Sequence, residues 1–355
     1  MPRSAINNTL IPLLRRLSGK LGEQQAKNEL RWMAEHVRTV IGESGRSREH
    51  LEPSFKSARL WRDQPAPSVE EIERDNKRFS SVQWAWLRQA VSDRVDQNKP
   101  LQYILGSQPF GRSKIATRPP VLIPRWETEE WMLRLAELVN ATRTEQRTPL
   151  RVLDACTGSG CIAIGLACEL QAQSAHITGV DISTDAVALA ADNLARNARA
   201  LGNTVDFCQL DLQAQSILAE LQARGPRWDM IVSNPPYVTP GDYAQLDPDV
   251  KDWEDIRALV PMPADADPQN VQMDTLDPSG LSFVVQLARL ARDLGLADAA
   301  VSSSDTKVPR LVVEIGGEKQ VEPARQAMHD CGFNLTEVWK DMAGADRVVL
   351  GYYKP

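Results

Sequence analysis

From residue 150 onward, short runs rich in aliphatic and β-branched residues alternate with segments of helical periodicity. A chain that alternates in this way builds a parallel sheet with helices on both faces. Only Lys340–Asp346 separates the last two predicted strands, which is too short for a helical crossover, so we expect these strands to pair antiparallel. The sequence therefore predicts an α/β fold. Its strands are predicted at 150–154, 176–181, 204–208, 228–233, 310–315, 333–339 and 347–353.

Up to about residue 100 the pattern is helical, with no alternating strand. A chain of 355 residues is longer than one average domain needs, so we expect more than one domain. We predict a helical N-terminal domain at 1–98, a linker and site-closing loop at 99–130, and the sheet domain at 131–355. The helices of the first domain are predicted in Leu10–Leu21, Leu30–Ile41 and Val82–Val95.

The first 22 residues contain four basic side chains and no acid, a bias that resembles a mitochondrial targeting segment. The same segment has Leu10, Leu13, Leu14 and Leu17 at helical spacing, as in the first helix of a folded domain. Both interpretations stay open. We expect the mitochondrial matrix as the location, with the cytoplasm as the alternative.

The net charge of -6 argues against broad nucleic-acid binding, which depends on Lys and Arg at phosphates. We expect no sequence-specific contact with nucleic acid. Uninterrupted apolar stretches fall short of the roughly 18 residues that a membrane span needs, so we expect no membrane association. The five cysteines form no C-x-x-C pair, which favours a reducing compartment and predicts no metal site.

A glycine-containing turn follows the first strand of the sheet domain. The strand that ends at Asp154 runs directly into Ala155-Cys156-Thr157-Gly158-Ser159-Gly160 and then into a helix. Glycines at such a turn let the backbone bend sharply and approach a ligand. The turn predicts a nucleotide-like ligand, and a plain tight turn is the alternative.

Acidic residues follow the next two strands. Asp181 ends the second strand, where a carboxylate can accept hydrogen bonds from both ribose hydroxyls of an adenosine. An ordinary acid at a helix N-terminus is the alternative, since Ser183 or Thr184 begins a helix. Asp211 follows the third strand and could accept from an adenine amino group or cap a turn.

The most specific motif is Ser233-Asn234-Pro235-Pro236-Tyr237, which follows the fourth strand. Its two prolines remove two backbone donors and leave carbonyls free to accept. The Asn234 side-chain oxygen and the Pro235 carbonyl can both accept hydrogen bonds from one NH2 group, while Tyr237 offers a flat surface. The motif lies at the carboxyl end of a strand, where open α/β sheets bind ligands. It therefore predicts a site for a planar –NH2 group.

An amide or aryl-amine nitrogen is a poor nucleophile because its lone pair is delocalised. Two acceptors that hold its hydrogens would stabilise the pyramidal nitrogen of the transition state more than the flat ground state. This differential binding needs no strong general base.

In order and spacing, these motifs resemble the HemK-type protein-(glutamine N5) methyltransferases over nearly the whole chain. The resemblance also includes Pro100–Gly106 with Phe110, Val121–Glu129, Val180–Ser183, Val313–Gly316 and Asp341–Arg347. It implies a seven-stranded class I (Rossmann-like) methyltransferase domain behind a small helical domain that helps to dock a peptide chain release factor. The implied reaction moves a methyl group from S-adenosyl-L-methionine to the glutamine of a Gly-Gly-Gln motif.

The resemblance also implies roles for individual residues. Asn234, Pro235, Pro236 and Tyr237 would hold the glutamine, and Arg125, Glu127 and Thr128 would belong to a loop that closes over the site. As bare residues, those three could equally be a helix start with Thr128 as its cap. The expected cofactor contacts are Asp154, Thr157, Gly158, Gly160, Asp181, Ile182, Asp211 and Asn234.

The chain departs from the family pattern at several positions. Cys156 replaces a common glycine, and Trp126 replaces a usual proline. The Glu-Pro and Asp-Gly signatures of the family are blurred within Thr239–Pro278, which we interpret as a loop or insertion, like 42–67 and 297–308. The combination of these departures with a basic N-terminus looks like a fungal mitochondrial member.

Three other functions compete. An adenine-N6 methyltransferase of DNA or RNA would use the same Asn-Pro-Pro-Tyr motif, but the net negative charge disfavours it. A non-catalytic subunit that binds S-adenosylmethionine would not need intact substrate residues. An NAD-dependent dehydrogenase would account for Gly158 and Gly160 but not for Asn234–Tyr237.

Overall fold

The computed structural model describes residues 4–40, 79–143, 148–225, 227–268, 270–296 and 308–353, with side chains from Leu10 onward. The predicted loop at 42–67 lies outside the described residues, as does 297–308 apart from Val308. The chain divides into two compact units. We call Met1–Gln108 with Pro248–Trp253 the helical unit, and Pro109–Asp247 with Glu254–Pro355 the sheet unit.

The helical unit contains α1 (Ser4–Leu21), α2 (Glu23–Thr39), α3 (Ser81–Asp96) and α4 (Leu101–Leu105). Its core is aliphatic, and Leu10, Leu13 and Leu17 of α1 are buried in it, as the helical interpretation of these leucines predicts. A capping box begins α3, in which the Ser80 side chain accepts from the Gln83 N–H and the Gln83 side chain accepts from the Ser80 N–H.

The segment Pro248–Trp253 belongs to the helical unit although it lies far along the chain. Asp249 accepts from Arg94 at 3.2 Å, and the same guanidinium pairs with the buried Glu29 at 2.8 Å. The Trp253 indole N–H donates to the Gln97 carbonyl at 2.9 Å. These polar contacts hold an excursion of the later chain against the helices.

The sheet unit begins at Pro109, within β1 (Ser107–Phe110), so this strand contains the boundary between the units. Within the predicted linker and site-closing loop at 99–130, the structure has α4, two short paired strands and the start of a helix. The next elements are β2 (Ser113–Ala116), α5 (Trp126–Thr142), β3 (Leu150–Ala155), α6 (Cys161–Glu169), β4 (Ala175–Asp181), α7 (Thr184–Asn197), β5 (Thr204–Gln209), α8 (Ile217–Ala223) and β6 (Met230–Ser233).

After β6 come two one-turn helices, Pro240–Tyr243 and Pro248–Lys251, and two short 3-10 segments, Ile256–Ala258 and Met273–Thr275. The remaining elements are α9 (Ser282–Asp293), β7 (Leu311–Glu314), α10 (Glu318–Asp330), β8 (Leu335–Lys340) and β9 (Asp346–Tyr352). Of the helices within the described ranges, none has the length and apolar character that a bilayer crossing requires.

Seven strands form one sheet in the order β5-β4-β3-β6-β7-β9-β8. The first five are parallel, and β9 pairs antiparallel with both β7 and β8. The predicted hairpin of the last two strands is thus confirmed, as is the seven-stranded α/β fold. Neighbouring residues of β3 point to opposite cores: Val152 packs with α5 and α6, and Leu153 with α9 and α10. Burial on both faces explains the continuous apolar runs.

The strand order reverses at β3, since β4 lies on one side of it and β6 on the other. Such a switch point opens a crevice at the carboxyl ends of the parallel strands. Asp181, Asn234 and Glu314 end or follow strands there, beside the turn after β3.

Candidate active site

A cleft with about 880 Å³ of empty volume opens at the carboxyl ends of β3, β4, β5 and β6. Several of the predicted site residues line it together: Gly158, Asp181, Ile182, Asp211, Asn234 and Pro236. The segment Thr239–Pro278 also contributes to the lining, through Arg257, Ala258, Met262, Pro263 and Ala264. The segment that departs from the family pattern therefore forms part of the binding cleft.

The turn after β3 uses left-handed backbone at three positions. The φ angles are +60° at Cys156, +54° at Gly158 and +79° at Gly160. A Cβ on Gly160 would lie 2.7 Å from the Phe207 ring, so this glycine is required by packing as well as by its backbone angle. At Cys156 an L side chain occupies a backbone region that favours glycine.

The Asp181 carboxylate organises this turn. One oxygen accepts from the Gly158 N–H at 2.9 Å, and the other accepts from the Ser183 N–H at 2.9 Å. Burial raises its pKa, against the effect of these two hydrogen bonds. Ser183 is the N-cap of α7, so the two interpretations of Asp181 are compatible: the residue supports a helix start and also lines the cleft.

Asp154, Thr157 and Gly160 were expected to line the cleft, but all three are buried and lie outside its lining. Pro235 and Tyr237 of the predicted substrate site also lie outside this lining, next to Asn234 and Pro236, which belong to it. One Asp154 oxygen accepts from the Thr157 hydroxyl at 2.6 Å and from the Ala163 N–H at 3.1 Å, which ties the turn to the start of α6. The other oxygen, Oδ1, is buried and has no hydrogen-bond partner among the described residues. Burial raises the pKa of Asp154 to about 7.

Asp211 has one of the two roles considered for it. Its carboxylate accepts from the Gln213 N–H at 2.7 Å and so caps a turn. The residue also lines the cleft, on the side of β5. A contact with an adenine amino group stays a prediction.

Asn234 follows β6 and has a defined side-chain orientation. Its amide nitrogen donates to the Thr128 hydroxyl at 3.0 Å. Neither Asn234 Oδ1 nor the Pro235 carbonyl receives a hydrogen bond from any part of the chain that the structure describes. Because Asn234 lines the cleft, its oxygen is an available acceptor there.

Glu314, at the end of β7, lies behind this motif and is 1% exposed. Its Oε2 accepts from the Thr128 hydroxyl at 2.7 Å and from the Trp131 indole N–H at 2.7 Å. Its Oε1 accepts from the Tyr237 hydroxyl at 3.0 Å. Burial raises the pKa of Glu314 against these three hydrogen bonds, and burial beside Glu314 raises the pKa of Tyr237.

The Tyr237 backbone is held by Gln320 of α10 and by the segment that precedes α9. Gln320 donates to the Tyr237 carbonyl at 2.9 Å and to the Ser279 carbonyl at 2.7 Å. A Cβ on Gly280 would lie 2.3 Å from the Tyr237 oxygen, at a φ of +69°. The blurred Asp-Gly signature at 277–280 therefore has a structural purpose, because only glycine lets the chain pass so close to Tyr237.

Arg125, Glu127 and Thr128 do not form the expected loop. Helix α5 begins at Trp126 with Arg125 as its N-cap residue, and Thr128 lies in the first turn, so Thr128 is not the cap. The Thr128 hydroxyl is used by Asn234 and Glu314 instead. Arg125 forms an ion pair with the buried Glu254, and Glu127 lines a separate small pocket beside Arg347.

Sequence reasoning gave no role to Glu314, Trp131, Gln320 or Glu254. Glu314 was part of a quoted motif, and a carboxylate at the end of an otherwise apolar strand was the available signal. The other three carry no signal in spacing. Their function depends on partners that only the fold brings near.

A family model described as "Methyltransferase small domain" matches residues 136–246. The chain is 40% identical over 168 residues to the probable MRF1 mitochondrial N(5)-glutamine methyltransferase mtq1 of Schizosaccharomyces pombe, which covers 46% of this chain and 52% of that protein. It is 35% identical to the mitochondrial MRF1 N(5)-glutamine methyltransferase MTQ1 of Saccharomyces cerevisiae, over 51% of this chain and 54% of that protein. The chain thus spans about half the length of these fungal relatives.

Among solved structures, the N-terminal domain of human METTL16 in complex with SAH matches with a TM-score of 0.43 and 11% identity, over 92% of this chain and 95% of that one. The release factor glutamine methyltransferase of Neisseria gonorrhoeae is 34% identical over 266 residues, which cover 74% of this chain and 81% of that protein. With this identity over most of a relative's length, and with the sheet order and the Asn-Pro-Pro-Tyr site above, the chain belongs to the release factor glutamine methyltransferase family.

Proposed function

We propose that this protein is an enzyme that transfers a methyl group from S-adenosyl-L-methionine to the side-chain amide nitrogen of the glutamine in a release factor's Gly-Gly-Gln motif. The observation that carries the proposal is the orientation of Asn234. Its amide nitrogen is engaged by Thr128, so Oδ1 is left as an acceptor at the cleft. This oxygen and the Pro235 carbonyl match the two hydrogens of a primary amide.

The chemistry follows from the way these acceptors treat the nitrogen. Asn234 and Pro235 would accept hydrogen bonds from both N–H groups of the substrate amide. They therefore favour a pyramidal nitrogen, whose lone pair is no longer delocalised into the amide. Positive charge that develops on this nitrogen is stabilised by fixed oxygen dipoles, which need no reorganisation. The Tyr237 ring limits the positions of the planar group, because its hydroxyl is held by Glu314. These residues therefore contribute alignment and electrostatic stabilisation.

The cleft residues fit the proposed cofactor. Each Asp181 oxygen accepts one hydrogen bond from the backbone, so the carboxylate keeps acceptor capacity for the ribose hydroxyls of an adenosine. Apolar side chains of Ile182, Leu212 and Phe283 line the cleft and suit a flat base. When bound, the sulfonium of S-adenosylmethionine would supply the activated methyl group.

We infer that the protein partner is a mitochondrial release factor and that the enzyme works in the mitochondrial matrix. The names of both fungal relatives include MRF1 and a mitochondrial location. The basic, acid-free first 22 residues agree with this assignment. An adenine target is the second candidate, because an exocyclic NH2 would offer the same two hydrogens.

The test offers three substrates with methyl-labelled cofactor: a release factor, its Gln→Ala variant in the Gly-Gly-Gln motif, and adenine-containing DNA. Label should enter only the first. Label in the DNA, or equal label in the Gln→Ala protein, would reject the glutamine assignment.

Asn234→Ala should lower turnover by about 10²–10³, the usual effect of removing one preorganised hydrogen bond in a transition state. Calorimetry of the same variant should show that cofactor affinity changes far less. Asn140→Ala is the matched control, since Asn140 hydrogen-bonds Glu169 and Gln171 away from the cleft.

A further inference from the structure

The hydrogens of the Glu314 network have fixed directions. An indole N–H can only donate, so Trp131 makes Glu314 Oε2 an acceptor. The Thr128 hydroxyl has a single hydrogen, and it also points to Oε2, at 2.7 Å. Towards Asn234 the Thr128 oxygen can then only accept. The Asn234 amide must therefore present its NH2 to Thr128, at 3.0 Å, and its oxygen in another direction.

We propose that Glu314 is a positioning residue that acts through Thr128 to fix which end of the Asn234 amide faces the substrate. This inference rests on the proposed function, because it concerns the same acceptor. The oxygen and NH2 of an asparagine amide are nearly equal in size, so packing alone does not select between the two orientations. Only the donor or acceptor character of the neighbour does so, and Glu314 sets that character at Thr128.

The same carboxylate also holds the ring that follows the motif. Tyr237 donates its hydroxyl hydrogen to Oε1 of Glu314 at 3.0 Å. One buried carboxylate thus fixes both a hydrogen-bond acceptor and an aromatic surface. A buried carboxylate is unfavourable unless several donors satisfy it, and here three donors converge on it. The arrangement explains why an ionisable residue ends a strand that is otherwise aliphatic.

If the Asn234 amide were reversed, its NH2 would face the NH2 of the substrate, and the acceptor oxygen Oδ1 would no longer be available to it. Thr128→Val keeps the shape of the side chain and removes the hydroxyl, so an Asn234 NH2 that faces this side chain loses its acceptor and the reversed orientation becomes favoured. We expect kcat to fall by about 10- to 100-fold, less than for loss of the whole group because the amide still samples the productive orientation. KM and cofactor affinity should stay within about twofold, since Thr128 itself contacts neither the substrate nor the cofactor.

Conservative variants separate positioning from a general structural effect. Thr128→Ser keeps the hydroxyl and should retain nearly wild-type kcat. Glu314→Gln should also retain most activity, because its amide oxygen can accept from both Trp131 and Thr128 while its NH2 donates to the Tyr237 hydroxyl. Glu314→Ala should lose activity. Because this variant risks misfolding, the decisive test is the comparison of Thr128→Val with Thr128→Ser.

Thr142→Val is the matched control in the same helix, where the hydroxyl donates to the Leu138 carbonyl at 2.7 Å. It should leave kcat unchanged. Equal kcat for Thr128→Val and wild type would overturn the inference, as would equal losses in Thr128→Val and Thr142→Val.

A second readout does not depend on glutamine as the substrate. With ¹⁵N-asparagine labelling, and with Asn234→Ala to assign the signal, the Asn234 side-chain NH2 should show one exchange-protected proton in wild type and Thr128→Ser. That protection should vanish in Thr128→Val. If wild type leaves release-factor glutamine unlabelled while the protection pattern holds, the proposed function fails and the positioning inference stands. If wild type labels glutamine but Thr128→Val keeps the protected proton, the positioning inference fails alone.

Discussion

Asp154→Asn should change the pH dependence of stability more than any surface substitution. The carboxyl is fully buried, and Oδ1 has no donor among the residues described. Burial raises its pKa from 3.8 to about 7, so the folded protein takes up a proton that the unfolded chain releases. The contribution of Asp154 to stability is therefore fully present below pH 3.8, the ordinary pKa of the group, and is lost as the pH rises through about 7.

The size of this loss of stability follows from the interval between the pKa values of Asp154 in the unfolded and folded protein. Between about pH 5 and about pH 8, the free energy of unfolding of wild type should fall by about 3 kcal/mol relative to Asp154→Asn. Asparagine has no titratable proton, and its amide oxygen can still accept from Thr157 and Ala163. Taking the difference between the two proteins cancels the effect of Glu314, whose pKa burial also raises, and leaves from Asp181 only the charge that helps to raise the pKa of Asp154.

The assay is urea unfolding of the ligand-free protein at several pH values, followed by tryptophan fluorescence. The two stability curves should diverge as the pH rises, with wild type losing stability relative to the variant. Parallel curves across this range would show that Asp154 is ionised in the folded state. A rise in the stability of wild type relative to the variant would contradict the direction of the pKa shift.

Two further substitutions test the turns around the site. Gly280→Ala should destabilise the protein by about 1–3 kcal/mol more than Gly344→Ala and lower kcat, because a Cβ at Gly280 meets the Tyr237 oxygen at 2.3 Å whereas Gly344, also at positive φ, has nothing within 4 Å. Equal thermal shifts of the two variants would reject the steric explanation. Cys156→Gly should be about 1 kcal/mol more stable than Cys156→Ala in chemical unfolding, because φ is +60° at this position and penalises any Cβ. The reverse order would show that the turn relaxes without cost.

The sheet could be predicted from the sequence because most of its strands are buried on both faces and leave apolar runs. The final hairpin followed from the length of its connection alone. The short β1–β2 sheet was missed, since its strands have four residues each and carry little apolar pattern. The start of α5 was ambiguous because Arg125 forms no side-chain cap that a motif could reveal.

The cleft residues that could be predicted from the sequence are those that lie at or just after the ends of strands. Gly158, Asp181 and Asn234 meet because parallel strands bring their carboxyl ends to one edge. The partners of Glu314 could not be predicted, since Thr128 and Trp131 are separated from it by 186 and 183 positions. The burial of Asp154 was missed for a related reason: whether a residue at a turn faces a ligand or supports the turn depends on side-chain direction, which spacing does not encode.

The path of the chain limits how this protein can be divided. It passes between the two units after Gln108, after Asp247 and after Trp253. A gene fragment that begins at residue 109 would still encode Asp249 and Trp253, but without Arg94 and Gln97, their partners in the helical unit. The fragment would expose an indole and a carboxylate that have partners in the full chain. Exchange of the helical unit between relatives, by recombination or by protein engineering, must therefore carry residues 248–253 with it.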